Sequence, residues 1–201
     1  TLNTSYEQAK KELPKKMMAA PKYRPGMDKT KAEKFLSSRA MKITGVLNQR
    51  VLENTQRVLE NGIRYDKALG TTMKDLREDT DLLSYLPDVD AAGRPVNVPA
   101  RLENIVRTNT AYAWNEARQA LFTDPDMRGF VEAFEYSAIL DDRTSEVCEA
   151  LDGKIQKDWG SMTPPNHFQC RSLLIPVTQV DDWNGKEDTI PASVKPQKGF
   201  M

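Results

Sequence analysis

The chain has 201 residues, 39% of them hydrophobic and 29% charged, so it can form one ordinary domain or a helical region with a small compact domain. Its formal net charge is zero, which excludes a strongly basic surface over the whole chain, and any DNA contact therefore has to be local. No apolar run approaches the length of a membrane span and no secretory signal opens the chain, so we expect no membrane partner.

Residues 1–29 are predicted to form an extended basic arm. Lysine and arginine outnumber aspartate and glutamate here, and three prolines interrupt any helix. The arm is therefore a candidate contact for DNA or for a protein partner, the alternative being a solvated basic face. The candidate contact residues in the arm are Lys10, Lys11, Lys15 and Lys16. The chain begins at Thr1 without a methionine and ends in a loop-like segment, so we expect a fragment of a longer protein.

Residues 30–124 are predicted to be helical. From Thr30 to Val58 apolar residues recur every three or four positions, which is typical of one long amphipathic helix. The pair Asn61-Gly62 tolerates the left-handed backbone conformation that ends helices, so we expect the helix to stop there.

Two further helices are predicted in this region. The first is expected to begin at Thr71 or Thr72, whose hydroxyl can cap it, and to end at Pro87. After a loop, Asn97 supplies an N-cap and Pro99 an early helical proline for the next helix, which we expect to end near residue 124.

Residues 125–180 are predicted to form a small α+β domain with a short antiparallel sheet. The run from Phe130 to Ile139 favours a strand, and a second strand is expected over residues 171–178. Between them a short helix fits residues 144–151, with Asp142 or Thr144 as its cap and Gly153 just past its end. Residues 181–201 are expected to be an irregular tail. The predicted fold class is therefore α+β with a mainly helical N-terminal part.

Three short stretches in this predicted domain are informative together, because of their order along the chain and the separations between them. They are Leu140-Asp141-Asp142-Arg143-Thr144-Ser145-Glu146-Val147-Cys148, Leu151-Asp152-Gly153-Lys154 and Pro164-Pro165-Asn166-His167-Phe168-Gln169-Cys170-Arg171-Ser172. Together they resemble the C-terminal signature of the Mu F-like phage head morphogenesis family. The upstream stretch from Arg101 to Thr110 is similar to that family's arginine-threonine helix. The resemblance covers residues 102–177, and its signature residues are Asp141, Arg143, Thr144, Gly153, Pro165 and Arg171.

The resemblance implies a minor head protein of a tailed bacteriophage, made in the host bacterial cytoplasm and located in the virion. Its implied partners are the portal protein and/or the major capsid protein, with phage DNA reached through the basic arm. Its implied role is head assembly and/or DNA packaging or ejection. The first 100 residues resemble the family only in their predicted helices. The resemblance therefore assigns no role to them.

Cys148, His167 and Cys170 are candidate metal ligands, because two thiolates and an imidazole are donors that zinc prefers. Asp141 or Asp142 is a candidate fourth ligand, with Asp142 the preferred one. Zinc would cross-link a domain with a small core. Two alternatives stay open: buried cysteines with a histidine that satisfies loop carbonyls, and a disulfide.

The sequence predicts no catalytic residues. The H-x-E and P-C-x-x-C motifs of zinc deaminases are absent, and a metal-bound His167 would leave no imidazole as a base, since it is the single histidine. We expect structural roles for Arg143 and Arg171, and Arg107 is a further candidate contact for DNA or a partner. Two alternatives to a minor head protein are a DNA-binding escort ejected with the genome and a zinc-dependent hydrolase.

Overall fold

A computed structural model describes residues 29–38, 43, 46–89, 92–127 and 129–197. The chain divides into two compact units, Thr1–Ala113 and Trp114–Met201. Residues 1–28, with the four candidate contact lysines of the predicted arm, lie outside the described residues, so the arm stays a prediction. The domain boundaries proposed from the sequence also stay a prediction.

The described part of the first unit is helical. It contains α1 (Lys29–Ser38), α2 (Gln49–Arg64), α3 (Leu69–Asp79), α4 (Leu82–Tyr85) and the first part of α5 (Val98–Phe122). Its core consists of aliphatic side chains from each of these helices. Fully buried examples are Ala32, Leu59, Ile63, Leu76, Leu82 and Leu102.

The prediction of one long helix from Thr30 to Asn61 is wrong, because α1 and α2 are separate. Ile43 and Val46 form an antiparallel bridge between them, with the Val46 N–H donating to the Ile43 carbonyl at 2.9 Å. A new helix then begins at Gln49, where the Oδ1 atom of Asn48 accepts from the Val51 N–H at 3.2 Å. This N-cap satisfies one of the free amides of the first turn.

Helix α2 also runs past the predicted stop at Asn61-Gly62. The left-handed residue is Asp66, with φ of 49°, and the Lys67 and Asp66 amides donate to the Gly62 and Ile63 carbonyls. This is the Schellman pattern that ends many helices. Gly62 instead lies inside α2 and is buried against α3, where an added Cβ would lie 3.1 Å from the Thr72 side chain.

The prediction of a single helix from Thr71 or Thr72 to Pro87 is wrong as well. Helix α3 begins at Leu69, and the Thr72 hydroxyl donates to the Ala68 carbonyl from inside the helix. Thr80 separates α3 from α4, because its hydroxyl donates to the Leu76 carbonyl at 2.6 Å and accepts from the Leu82 N–H at 3.2 Å. The start of α5 agrees with the prediction.

The second unit contains a three-stranded antiparallel sheet with the order β2-β1-β3. Its strands are β1 (Val131–Ser137), β2 (Ile155–Gln156) and β3 (Leu173–Thr178), and helix α6 (Glu146–Leu151) lies between β1 and β2 in the chain. Short 3-10 turns occupy Pro125–Met127 and Gly160–Met162. The predicted α+β fold class is confirmed. The two-residue strand β2 was not predicted.

Helix α6 and the turn after it lie against β1. The predicted caps, Asp142 and Thr144, are wrong, since the Ser145 hydroxyl accepts from the Cys148 N–H at 3.2 Å. Gly153 follows the helix with φ of +72°, and its N–H donates to the Tyr136 carbonyl on β1 at 2.8 Å. A side chain at this φ would be strained, so glycine suits the turn from α6 into β2.

The C-terminal part of α5, which belongs to the second unit, is hydrogen-bonded to β3 and the residue before it. Asn115 Nδ2 donates to the Ser172 carbonyl and Arg118 Nη2 to the Leu174 carbonyl, each at 3.3 Å. Trp159 is buried against β1 and donates from Nε1 to the Phe134 carbonyl at 2.9 Å. Among the described helices, none combines the length and hydropathy that crossing a bilayer requires.

Candidate metal centre

Cys148, His167 and Cys170 meet in the second unit. The Cys148 Sγ lies 3.1 Å from His167 Nε2 and 3.7 Å from Cys170 Sγ, and the three donor atoms all lie within 4.8 Å of one another. Both cysteines are buried and free, and His167 is half-buried. The structure therefore brings together three of the four residues that the sequence suggested as metal ligands.

Two segments position these donors. Cys148 lies in α6, whose N-terminus is capped by Ser145, so its thiol is held by a short fixed helix. His167 and Cys170 lie in the loop before β3, where the Cys170 N–H donates to the His167 carbonyl at 3.3 Å. This loop is anchored by Asn166, which is almost fully buried and whose backbone carbonyl accepts from the Gln197 N–H at 2.9 Å.

The hydrogen bond of His167 Nδ1 defines which nitrogen of the ring carries a proton. Its Nδ1 lies 2.8 Å from the Phe168 carbonyl, and a carbonyl can only accept, so Nδ1 carries a proton. The lone pair of a neutral ring then belongs to Nε2, the atom that faces Cys148. Metal-bound histidines in proteins are usually oriented in this way, with the second nitrogen donating to a carbonyl or carboxylate.

A polar chain continues from the cluster into the core. The Tyr136 hydroxyl on β1 lies 3.3 Å from Cys148 Sγ. Asn166 Nδ2 lies 3.0 Å from the same hydroxyl and 2.9 Å from the Met162 carbonyl. Tyr136 has no exposed surface and packs against Trp159, with ring centroids 5.2 Å apart. The cluster is therefore connected to the centre of the sheet.

Hydrogen bonding within the cluster distributes its protons unevenly. The hydrogen bond with Cys170 holds the pKa of Cys148 well below its usual range, against the effect of burial and with a further contribution from His167. The same hydrogen bond, together with burial, raises the pKa of Cys170. The contact with Cys148 also raises the pKa of His167. The lowered pKa favours the deprotonated form of Cys148, and a deprotonated thiol is the form that binds a metal.

Asp141 and Arg171 form a second polar group, and they lie close in sequence to Cys148 and Cys170. Arg171 donates to it through two bonds, from Nη1 to Oδ2 at 2.7 Å and from Nη2 to Oδ1 at 2.5 Å. The Arg143 backbone N–H adds a third bond, at 2.9 Å to Oδ1. These donors, with Arg171 the largest contributor, hold the pKa of Asp141 well below its usual range. Asp141 is thus engaged by Arg171 and is not part of the three-donor group.

The remaining signature residues are distributed around these two groups. Asp142 is exposed and is not part of the three-donor group. The Thr144 hydroxyl donates to the Ile139 carbonyl at 2.5 Å and accepts from the Asp141 N–H at 2.8 Å, which closes the loop after β1. The Arg143 side chain is 75% exposed and lies 3.6 Å from Asp141, a weak pair. Pro165 is buried beside Asn166.

Comparison with known protein families identifies the family of this chain. Residues 49–175 match the model of the family described as phage Mu protein F like protein, which is more than half of the chain. The chain belongs to this family. The match confirms the resemblance seen in the sequence, and the matched residues include Cys148, His167 and Cys170. No curated protein and no solved structure matches the chain.

Two residues of the candidate metal centre were not found from the sequence. The sequence places Tyr136 only in a predicted strand, and it places Asn166 in the third signature stretch without a role. The signal that could have found Asn166 is its position directly before His167, where a buried amide can orient the loop. No comparable signal exists for Tyr136, because its contact with Cys148 spans 12 positions and depends on how α6 packs on β1.

Proposed function

We propose that this Mu F-like protein is a minor head component of a tailed bacteriophage. It would be made in the host bacterial cytoplasm and carried in the virion, at the portal vertex or on the inner face of the capsid. The family match over residues 49–175 carries this proposal. Its role would be in head assembly and/or in DNA packaging or ejection.

The partners in this proposal are the portal protein and/or the major capsid protein. Phage DNA would be contacted by Lys10, Lys11, Lys15 and Lys16, which lie outside the described residues. Arg107 is a weaker candidate for such contacts, since it is exposed but pairs with Glu103 one helical turn earlier, at 2.6 Å. An exposed pair of this kind contributes little stability, so Arg107 can exchange its partner at small cost.

Mass spectrometry of purified phage particles tests the proposal. We expect the protein in full particles in far fewer copies than the major capsid protein. Particles that have ejected their DNA distinguish the two roles: a structural head component remains in them, and a DNA escort is lost. Absence of the protein from full particles would contradict both.

We further propose that Cys148, His167 and Cys170 hold a zinc ion that stabilises the second unit. The donor set of two thiolates and one imidazole is one that zinc prefers. With Zn–S bonds of about 2.3 Å, two sulfurs of a tetrahedral site lie about 3.8 Å apart. The Cys148 and Cys170 sulfurs lie 3.7 Å apart, whereas a disulfide requires about 2.05 Å.

We propose an architectural and not a catalytic role for this zinc. A hydrolase needs an open metal position and a general base close to it. The described residues supply three ligands in this group, which leaves room for a fourth. His167 is the single histidine of the chain, and both of its nitrogens are engaged, by Cys148 and by the Phe168 carbonyl. No imidazole remains to act as the base, and among the described residues no carboxylate belongs to the three-donor group.

Zinc content per chain, measured on protein purified without chelators, tests this proposal. We expect one zinc ion per wild-type chain, loss of most zinc and a lower Tm in Cys148→Ser and Cys170→Ser, and retained zinc in the control Asp142→Asn. Asp142→Asn is also a small polar substitution, but it alters an exposed residue outside the three-donor group. Folded wild-type protein with almost no zinc would contradict the proposal and favour simple buried thiols.

A further inference from the structure

The hydrogen bonds around Tyr136 have a fixed direction. The amide nitrogen of Asn166 can only donate, and its two contacts are the Met162 carbonyl at 2.9 Å and the Tyr136 oxygen at 3.0 Å. The Tyr136 oxygen is therefore an acceptor from Asn166. Two further neighbours surround this hydroxyl, Cys148 Sγ at 3.3 Å and the Ser172 side chain, and the tyrosine proton is available for one of them.

Burial keeps water out of this arrangement. Tyr136 is fully buried and Asn166 is 1% exposed. A buried hydroxyl without a partner is costly, so the Tyr136 hydroxyl has to be satisfied by its protein neighbours. A sulfur that ligates zinc has lost its proton and can only accept. The Tyr136 hydroxyl then has to be the donor in its contact with Cys148.

We propose that Tyr136 is a positioning residue of the metal centre, which donates a hydrogen bond to the Cys148 sulfur when that sulfur ligates zinc. Asn166 orients the hydroxyl from the other side. This inference rests on the proposed zinc site and adds a group that does not itself touch the metal. Such outer partners fix ligand orientation and tune metal affinity, commonly by about 10-fold to 100-fold.

Tyr136→Phe tests the proposal in the full chain, because it removes one hydroxyl and keeps the ring that packs on Trp159. We expect zinc affinity, measured by competition with a chromophoric chelator, to fall by about 10-fold or more. In the cobalt(II)-loaded protein, we expect the sulfur-to-metal charge-transfer band to move to longer wavelength, since a sulfur without its hydrogen bond gives up electron density more readily.

Tyr85→Phe is the matched control. It removes a tyrosine hydroxyl in the other unit, where Tyr85 Oη accepts from Asn48 Nδ2 at 3.0 Å. We expect wild-type zinc affinity and an unchanged cobalt band in this variant. Far-UV circular dichroism of each variant reports whether it has folded.

A second measurement does not depend on the folding of Tyr136→Phe. Placing 3-fluorotyrosine at position 136 makes the hydroxyl a stronger donor with little change in shape, so the cobalt band should move to shorter wavelength. Wild-type affinity in Tyr136→Phe, or a band that neither substitution moves, would overturn the role of Tyr136 while leaving the zinc site intact. Wild-type protein that binds neither zinc nor cobalt would overturn the zinc site, and this inference with it.

Discussion

Arg171 and Arg143 both approach Asp141, but they interact with it in different ways. Arg171 forms two parallel bonds to the carboxylate, a geometry that the planar guanidinium allows and the lysine ammonium does not. Arg143 contributes its backbone N–H, while its side chain is mostly exposed. The two arginines of the signature are therefore unequal, although the sequence predicted structural roles for both.

Arg171→Lys should lower the Tm by a few degrees, although it preserves the positive charge. The effect is modest because the side chains of Arg171 and Asp141 are each about a third exposed, and solvent screens part of the attraction. Arg143→Lys, the matched control, should leave the Tm unchanged. Thermal unfolding followed by circular dichroism measures both. Equal effects of the two substitutions would mean that the paired geometry of Arg171 contributes nothing.

The sequence could predict the residues of the site that carry distinctive chemistry. Two cysteines and one histidine close together in the sequence supply donors that zinc prefers, and this chemistry predicts the three-donor group. Asp142 was a weaker prediction, since adjacency to Asp141 says nothing about where its carboxylate lies. Tyr136 could not be predicted, because tyrosine is common in strands and its role depends on a long-range contact.

At the scale of elements, the predictions failed where local polar groups interrupt a continuous apolar pattern. Periodicity alone could not reveal the break before α2, because Ile43 and Val46 keep helical spacing while they form a bridge. Thr80 ends α3 in a different way, because its hydroxyl bonds to the backbone on both sides. Threonine and asparagine side chains compete with helical hydrogen bonds, and only the fold decides which of them succeed.

Caps and turns also position the site. Ser145, and not its neighbour Thr144, caps α6, because the Thr144 hydroxyl is used to close the loop after β1. A cap of this kind contributes about 1 kcal/mol, which matters for a helix of six residues that holds Cys148. Strand β2 has only two residues, too short for any periodic pattern to be seen in the sequence.

At the scale of the whole molecule, the two units are stabilised differently. The described part of the first unit has an aliphatic core formed by helices. The second unit has a small sheet, one short helix and the C-terminal part of α5, and the proposed metal centre would link its segments. Cys148 is 19 positions from His167 and 22 from Cys170. Cross-linking chain segments at such separations removes entropy from the unfolded state, by about 3 kcal/mol for a covalent link that closes a loop of about 15 residues.

Removal of the proposed zinc ion should therefore loosen the second unit selectively. After EDTA treatment, we expect faster hydrogen exchange for the amides that join β1 to the turn after α6. These are the Tyr136 N–H, which donates to the Lys154 carbonyl, and the Gly153 N–H, which donates to the Tyr136 carbonyl. Amides of α2 should exchange as before, because its buried residues and caps contain no ligand of the centre. Hydrogen exchange followed by mass spectrometry resolves both regions in one sample. Unchanged exchange in β1 after proven zinc loss would mean that the ion binds without supporting the fold, and equal acceleration in α2 would mean that the units unfold together.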